Sequence, residues 1–249
     1  MKRIVCMIMA TIITISSTMI TDAEGINYKT CNGFRYNVDG KEINYYVGKK
    51  TTATIPAKIE GEKVRDVFLY KAPNLKKLKV SRYVKTIVVA RNKKLKKVTI
   101  DKKNKYLCVK QKTILNKKKT KMLSALGGYK VITVPDSVEK ITVGALENVN
   151  FKKIIFGKNV KKMSSSVFGD GYLCKNLKEL IFKGNFCPKI EPDTFFFPGK
   201  KVLKITVKNE KIAKELYDQL IDKQDFHGKI YVGKKCIYDQ VFKYLLNNN

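Results

Sequence analysis

Residues 131–149 read VITVPDSVEKITVGALENV, and residues 150–174 read NFKKIIFGKNVKKMSSSVFGDGYLC, followed by KNLKEL to Leu180. Set on Val134 and Phe156, the two halves repeat. Four residues on comes a valine (Val138, Val160), three further Ile141 or Met163, and then the pairs Ala145-Leu146 and Val167-Phe168. Self-similarity at a period in the twenties is the mark of a solenoid, in which each unit buries its apolar face only against its neighbours.

The pattern extends outward from this stretch in both directions. An apolar-x-apolar pair recurs as Ala53/Ile55, Leu78/Val80, Val98/Ile100, Ile132/Val134, Ile154/Phe156, Leu180/Phe182 and Ile205/Val207. Steps between second members are 25, 20, 34, 22, 26 and 25 residues. Most pairs follow an apolar residue three positions earlier (Leu75, Leu95, Phe151, Leu177, Val202), giving L-x-x-L-x-V, one short strand per coil. The long step holds NKYLCVKQKTILNKKKTKMLSALGGYK, which predicts an inserted excursion of two or three strands within 101–130, ending at Gly127-Gly128.

The flanks differ in period. Phe34–Val38 and Ile43–Val47 alternate around Asp39-Gly40, a hairpin signal, and predict an N-terminal cap over 24–50. Beyond Val207, Ile212, Leu216 and Leu220 are spaced by four, a helix; Gly228–Gly233 is a strand; Ile237, Val241, Phe242 and Leu245 suggest a last helix. The organisation expected is a signal peptide at 1–23, cap at 24–50, solenoid at 51–207 and C-terminal cap at 208–249. Lys2-Arg3, the apolar run IVCMIMATIITISSTMI and Thr21-Asp22-Ala23 carry the first of these, with cleavage after Ala23. A secreted or cell-surface location follows, with no transmembrane span after cleavage.

These residues resemble the BspA-like leucine-rich repeat family. Pro135, Val138, Ile141, Ala145 and Leu146 fill its repeat positions, as do Val160, Met163, Val167, Phe168, Cys174 and Leu177 in the next coil. The coil from Val80 departs from the pattern, carrying Arg91-Asn92 where the Ala-Phe pair belongs, and the coil from Phe182 slips by one. The resemblance implies a β-dominated α/β-type solenoid with short parallel strands, an N-terminal hairpin cap and a C-terminal helical cap. It also implies a secreted or surface protein, some relatives being adhesins that bind host proteins.

Charge bounds the partner. Lys+Arg is 52 against Asp+Glu 21, a net +31 over 249 residues. The surplus is lysine; the arginines are Arg3, Arg35, Arg65, Arg82 and Arg91. Lysine is a point charge rather than a bidentate fork, so the surplus favours diffuse attraction to an anionic surface over base reading, and nucleic acid is the weaker reading. Host or cell-surface proteins, anionic wall polymers and glycans are the partner classes; a structural surface module without a ligand is the alternative.

Strand side chains alternate, so the residues beside the inward pairs form the outer face of the sheet. One column is Thr52, Lys77, Lys97, Val131, Lys153, Glu179 and Lys204; the next is Thr54, Lys79, Thr99, Thr133, Ile155, Ile181 and Thr206. Lys77, Lys79, Lys97, Thr133, Lys153, Ile155, Ile181 and Lys204 are the candidate binding residues, with Ile155 and Ile181 an exposed apolar patch. No catalytic, metal or cofactor site is expected. There is one histidine, His227, and no C-x-x-C, H-E-x-x-H, G-x-S-x-G or P-loop. Cys174 reads as core and a Cys174–Cys187 bridge is open; Cys31 or Cys236 is a candidate free surface thiol.

Overall fold

In the computed structural model, the described residues are 19–21, 26–169, 171–195, 202–223 and 228–239. The signal-peptide reading lies largely outside them. The exception is Met19–Thr21, a short strand antiparallel to Asn27–Cys31.

Each coil contributes a strand to one sheet and then turns a corner into a second. In the first sheet, Thr52–Thr54, Lys77–Val80 and Lys97–Ile100 are parallel and in register, with Ala53, Leu78 and Val98 aligned. A further run joins Val131–Thr133, Lys153–Phe156, Glu179–Phe182, Leu203–Val207 and Gly228–Val232 in parallel, and adds Lys235–Asp239 antiparallel. Residues that fell in one column of the sequence are therefore direct cross-strand neighbours, about 4.8 Å apart. Inward positions build apolar stacks: Phe156 lies on Phe182 at 4.4 Å, and Phe168 on Phe195 at 5.6 Å. Each such buried side chain stabilises the array by roughly 1.5–3 kcal/mol relative to exposure.

The second sheet comprises short strands at the other side of the coils. Lys121–Ala125, Lys140–Ile141, Lys162–Met163 and Lys189–Ile190 run parallel. The insertion supplies Leu107–Lys110 and Thr113–Asn116, antiparallel to each other, and Thr113–Asn116 is in turn antiparallel to Lys121–Ala125. The third strand of the excursion thus rejoins the solenoid as a regular member of the second sheet.

This excursion also divides the core. One apolar cluster spans Cys31 to Leu126 and the other Leu115 to Ile230, with Tyr129 packed against both. Across the junction the strand ladder lapses, and Gly128 N–H donates to Leu95 O at 2.9 Å while Tyr129 Oη–H donates to Lys96 O at 3.1 Å. Gly127 and Gly128 are required by close approach: a Cβ on Gly127 would stand 2.5 Å from Ala90 O, and one on Gly128 2.8 Å from Leu95 O.

Two readings of the flanks change. The N-terminal hairpin Phe34–Asn37 with Glu42–Tyr46 exists, but its connection is four residues long, with Lys41 at φ 53° and Asn37 Oδ1 accepting Asp39 N–H and Gly40 N–H. At the other end, the helix Glu210–Lys223 forms, with Asn209 Oδ1 accepting Ile212 N–H at 3.0 Å as its cap. Its Ile212, Leu216 and Leu220 are buried. The last helix does not begin at Ile237. Lys235–Asp239 is a strand, because Gly228–Val232 offers an open edge and Gly233-Lys234 forms a tight turn into it; Val241, Phe242 and Leu245 lie outside the described residues.

Candidate binding face

The columns expected to face outward do so, but their charges do not behave alike. Lys77 and Lys97 are in register, Lys79 lies beside Thr54 and Thr99, and all three lysines are exposed. None of the three forms an ion pair among the described residues. In the later coils Lys153 pairs with Glu179 at 2.9 Å, its direct cross-strand neighbour. Lys204 sits over the Tyr231 ring at 4.8 Å, and Lys229, next in the column, pairs with Asp239 at 2.6 Å.

The single lysine stripe of the sequence is thus two segments. It is interrupted at the junction between Lys97–Ile100 and Val131–Thr133, which do not pair. Among the described residues, the first segment has no ion pair on its lysines, whereas in the second Lys153 and Lys229 are paired and Lys204 keeps its charge over a ring. Ile155 and Ile181 are neighbours, as expected, yet half-buried rather than exposed, since each shields the other beside the Lys153–Glu179 pair; Thr133 is half-buried beside Ile155.

A second lysine ladder was not anticipated. Lys121, Lys140, Lys162 and Lys189 are in register down the second sheet. The signal was present, since each precedes an inward Met or Ile, but strands of two residues are too short to be seen as strands in a sequence. Carboxylates partly cancel this ladder. Glu191 lies 2.5 Å from Lys162 of the ladder, and Glu139 pairs at 3.4 Å with Lys161, the residue before it. The hydrogen bond from Lys162 and that from Ser165 N–H hold the Glu191 carboxyl below the usual carboxylate range.

At the corner between the sheets, the early coils are basic again. A cavity of about 320 Å³ is lined by Lys63, Arg65, Arg82, Lys85, Lys103 and Lys105 with Tyr83 and Tyr106, and by no carboxylate among the described residues. Lys63 and Arg82 lie over the Tyr83 ring at 5.1 and 5.3 Å, and Lys85 over Tyr106 at 5.1 Å. A ring face attracts a cation without cancelling its charge. Buried Asn104 stiffens the corner. Its Nδ2 donates to Ser81 O and Val84 O, and its Oδ1 accepts Tyr106 N–H and Leu107 N–H, all at 2.8–2.9 Å.

The five described cysteines are free thiols, so no Cys174–Cys187 bridge forms; Cys31 and Cys174 are buried and Cys236 is exposed. Burial pushes the Cys187 thiol up to about 12. No group of three or more His, Cys, Asp or Glu suited to a metal occurs among the described residues, and His227 lies outside them.

A repeated strand, corner and return, stacked in register, defines a leucine-rich repeat solenoid. Residues 119–225 match the BspA type leucine rich repeat region in six copies, and this stretch of the chain is of that repeat type. Solved structures similar to it include a leucine-rich repeat protein from Eubacterium ventriosum, at 18% identity and TM-score 0.41, covering 69% of this chain and 49% of that one. The chain therefore spans about half the length of that protein. The pneumococcal vaccine antigen PcpA matches at 12% identity and TM-score 0.27, over 88% of this chain and 99% of that one. The T. pallidum leucine-rich repeat protein matches at 14% and 0.34, over 86% and 99%. No curated protein matches the sequence.

Proposed function

We propose that this chain is a non-enzymatic, exported or cell-surface binding module that takes an anionic polymer on the outer sheet face of its early coils. The observation that carries the reading is the contrast along one face: Lys77, Lys79 and Lys97 are exposed without an ion pair among the described residues, while Lys153 and Lys229 are neutralised. The corner cavity adds further cations in the same coils. Uncancelled, register-locked charge concentrates an anionic ligand locally, whereas paired charge does not. Export is supported by the N-terminal basic-then-apolar segment and by the repeat type, whose members are generally secreted or surface proteins. Among the described residues no helix is long and apolar enough to cross a membrane.

The test is retention on immobilised sulfated and phosphorylated polymers along a salt gradient. Lys77→Gln, Lys79→Gln and Lys97→Gln together should elute at clearly lower salt than a charge-matched Lys118→Gln, Lys211→Gln, Lys234→Gln protein. Equal elution of the two triples reduces the effect to bulk charge. Fractionation of washed cells and medium tests export.

A further inference from the structure

The N-terminal cap contains a cavity that neither lysine ladder touches. It has a volume of about 490 Å³, within the range of small-molecule sites, and Tyr28, Arg35, Tyr45, Tyr46, Lys49 and Lys71 supply its polar and aromatic wall. We propose that this cavity binds a carboxylate-bearing sugar, with Arg35 holding the carboxylate and Tyr45, braced by the buried Tyr28 and Tyr46, holding the ring. The site is separate from the basic sheet face and stands or falls apart from it.

The cavity is built on one cross-strand row. Thr30 pairs with Arg35, Arg35 with Tyr45, and Tyr45 with Lys71. Neighbours in such a row project from the same side of a sheet. The row sits where the ladder is irregular: against Phe34–Asn37 the register shifts between Arg35 and Tyr36, with Asn44 the extra residue, and against Asp66–Lys71 it shifts between Ile43 and Tyr45, where Phe68, Leu69 and Tyr70 stand opposite Asn44 alone. A bulge re-aims the side chains beside it and is a common device next to binding sites.

Arg35 points to the ligand. Its Nε is buried and has no hydrogen-bond partner among the described residues. A buried N–H left unpaired is costly, and a carboxylate supplies a planar, bidentate acceptor that fits a guanidinium. Among the described residues no carboxylate lines the cavity, and Lys49 and Lys71 reinforce the preference for an anion.

The tyrosines set the remainder of the ligand. The Tyr46 ring is wedged by two glycines: a Cβ on Gly48 would stand 2.5 Å from its Cζ and Oη, and one on Gly33 3.0 Å from its Cε2. Phe34 supports the same ring at 4.9 Å, and Tyr28 meets Tyr45 edge-on at 5.7 Å. Tyr28 and Tyr46 are themselves buried and fix Tyr45, the partly exposed ring, whose face and hydroxyl tip suit a pyranose, which presents apolar C–H faces and hydroxyl edges together. Val47 and Pro73 add a small apolar rim and Asn74 an amide.

Side-chain NMR shifts of the full chain, titrated with millimolar methyl glycosides of glucuronic acid and sialic acid, test this. Methyl glucoside serves as the neutral control and the dipeptide Gly-Tyr as a peptide carboxylate. At least one acid should bind with shifts at the cavity tyrosines; Arg35→Gln should weaken it at least tenfold and Lys71→Gln, at an exposed site, by a few-fold. The Lys77/Lys79/Lys97→Gln protein should bind it unchanged. The proposal is overturned if neither acid binds, if the neutral glycoside binds equally well, if Gly-Tyr binds more tightly than both acids, or if a folded Arg35→Gln protein with an unshifted melting curve keeps full affinity.

Discussion

Arg91 Nε donates to Glu147 Oε2 at 2.7 Å, joining residues 56 positions apart in sequence. The pair clamps the coils on either side of the insertion. It also explains why the coil from Val80 abandons the apolar pair of its neighbours: Arg91 makes the clamp, and the adjacent Asn92 is buried, its Nδ2 donating to Leu69 O at 2.6 Å.

Removing one member of this clamp should be expensive, because Glu147 is only 3% exposed. Arg91→Ala should cost about 2–3 kcal/mol, somewhat under a fully buried pair because the arginine is partly solvated. Gly169→Ala should also destabilise, since its φ is +68° and a Cβ there would collide with the Glu147 carboxylate. Urea unfolding followed by circular dichroism measures both, and a shift under about 0.5 kcal/mol for either would contradict the assignment.

Asn104 should matter more than its size suggests. Asn104→Ala removes two donated and two accepted bonds at a buried site and strands two carbonyls, an expected loss of about 2–4 kcal/mol in the same unfolding experiment. Asn104→Asp should fail to rescue it, because a carboxylate cannot donate to Ser81 O and Val84 O.

Thiol accessibility should divide the cysteines. Cys236 should react rapidly with a maleimide in native protein, whereas Cys31, Cys174 and Cys187 should react only on unfolding. Cys187 is further protected by burial of its sulfur beside Gln219, whose Nε2 donates to Sγ at 3.2 Å. Mass mapping of the labelled sites decides this; fast labelling of Cys187 at neutral pH would refute it.

Stability should fall at both ends of the pH range, for opposite reasons. The Glu191 carboxyl titrates below its ordinary value in the folded chain, so its contribution is present above the unfolded value and is lost as pH falls through the folded one. The Cys187 thiol titrates near 12 when folded, so its contribution is complete below the unfolded value near 9 and is lost as pH rises towards 12. Melting curves from pH 3 to 11 test the signs. Glu191→Gln should flatten the acid limb and Cys187→Ala the alkaline one.

Packing inside the later coils should be sensitive to volume. Phe156→Ala empties a site stacked on Phe182 and should cost about 3–5 kcal/mol, whereas Phe156→Leu should cost much less. Thermal melts of the two variants give the comparison.

Much of the fold was legible because one rule governs it. A strand's side chains alternate with period two, so Leu78/Val80 or Ile154/Phe156 had to face inward and Lys77 or Lys153 outward, whatever lay above and below. Equal spacing of coils then set which residues became neighbours. The second sheet was not legible: Lys140–Ile141 and Lys162–Met163 carry two residues each, below the length at which alternation is visible. The strand at Lys235–Asp239 was misread because Ile237 and Val241 are spaced by four, while the open edge of Gly228–Val232 decided the outcome.

By itself, then, the sequence determined the repeat, the inward stack and the membership of the outward columns, since these follow from local periodicity. Only the tertiary structure decided which lysines remain charged towards solvent, because Lys153 meets Glu179 from the next coil and Lys229 meets Asp239 from a returning strand. It alone also made a cavity of Arg35, Tyr45 and Lys71. Those residues come from three strands and share a row only after two register shifts, and a register shift depends on how neighbouring strands fit rather than on any residue read singly.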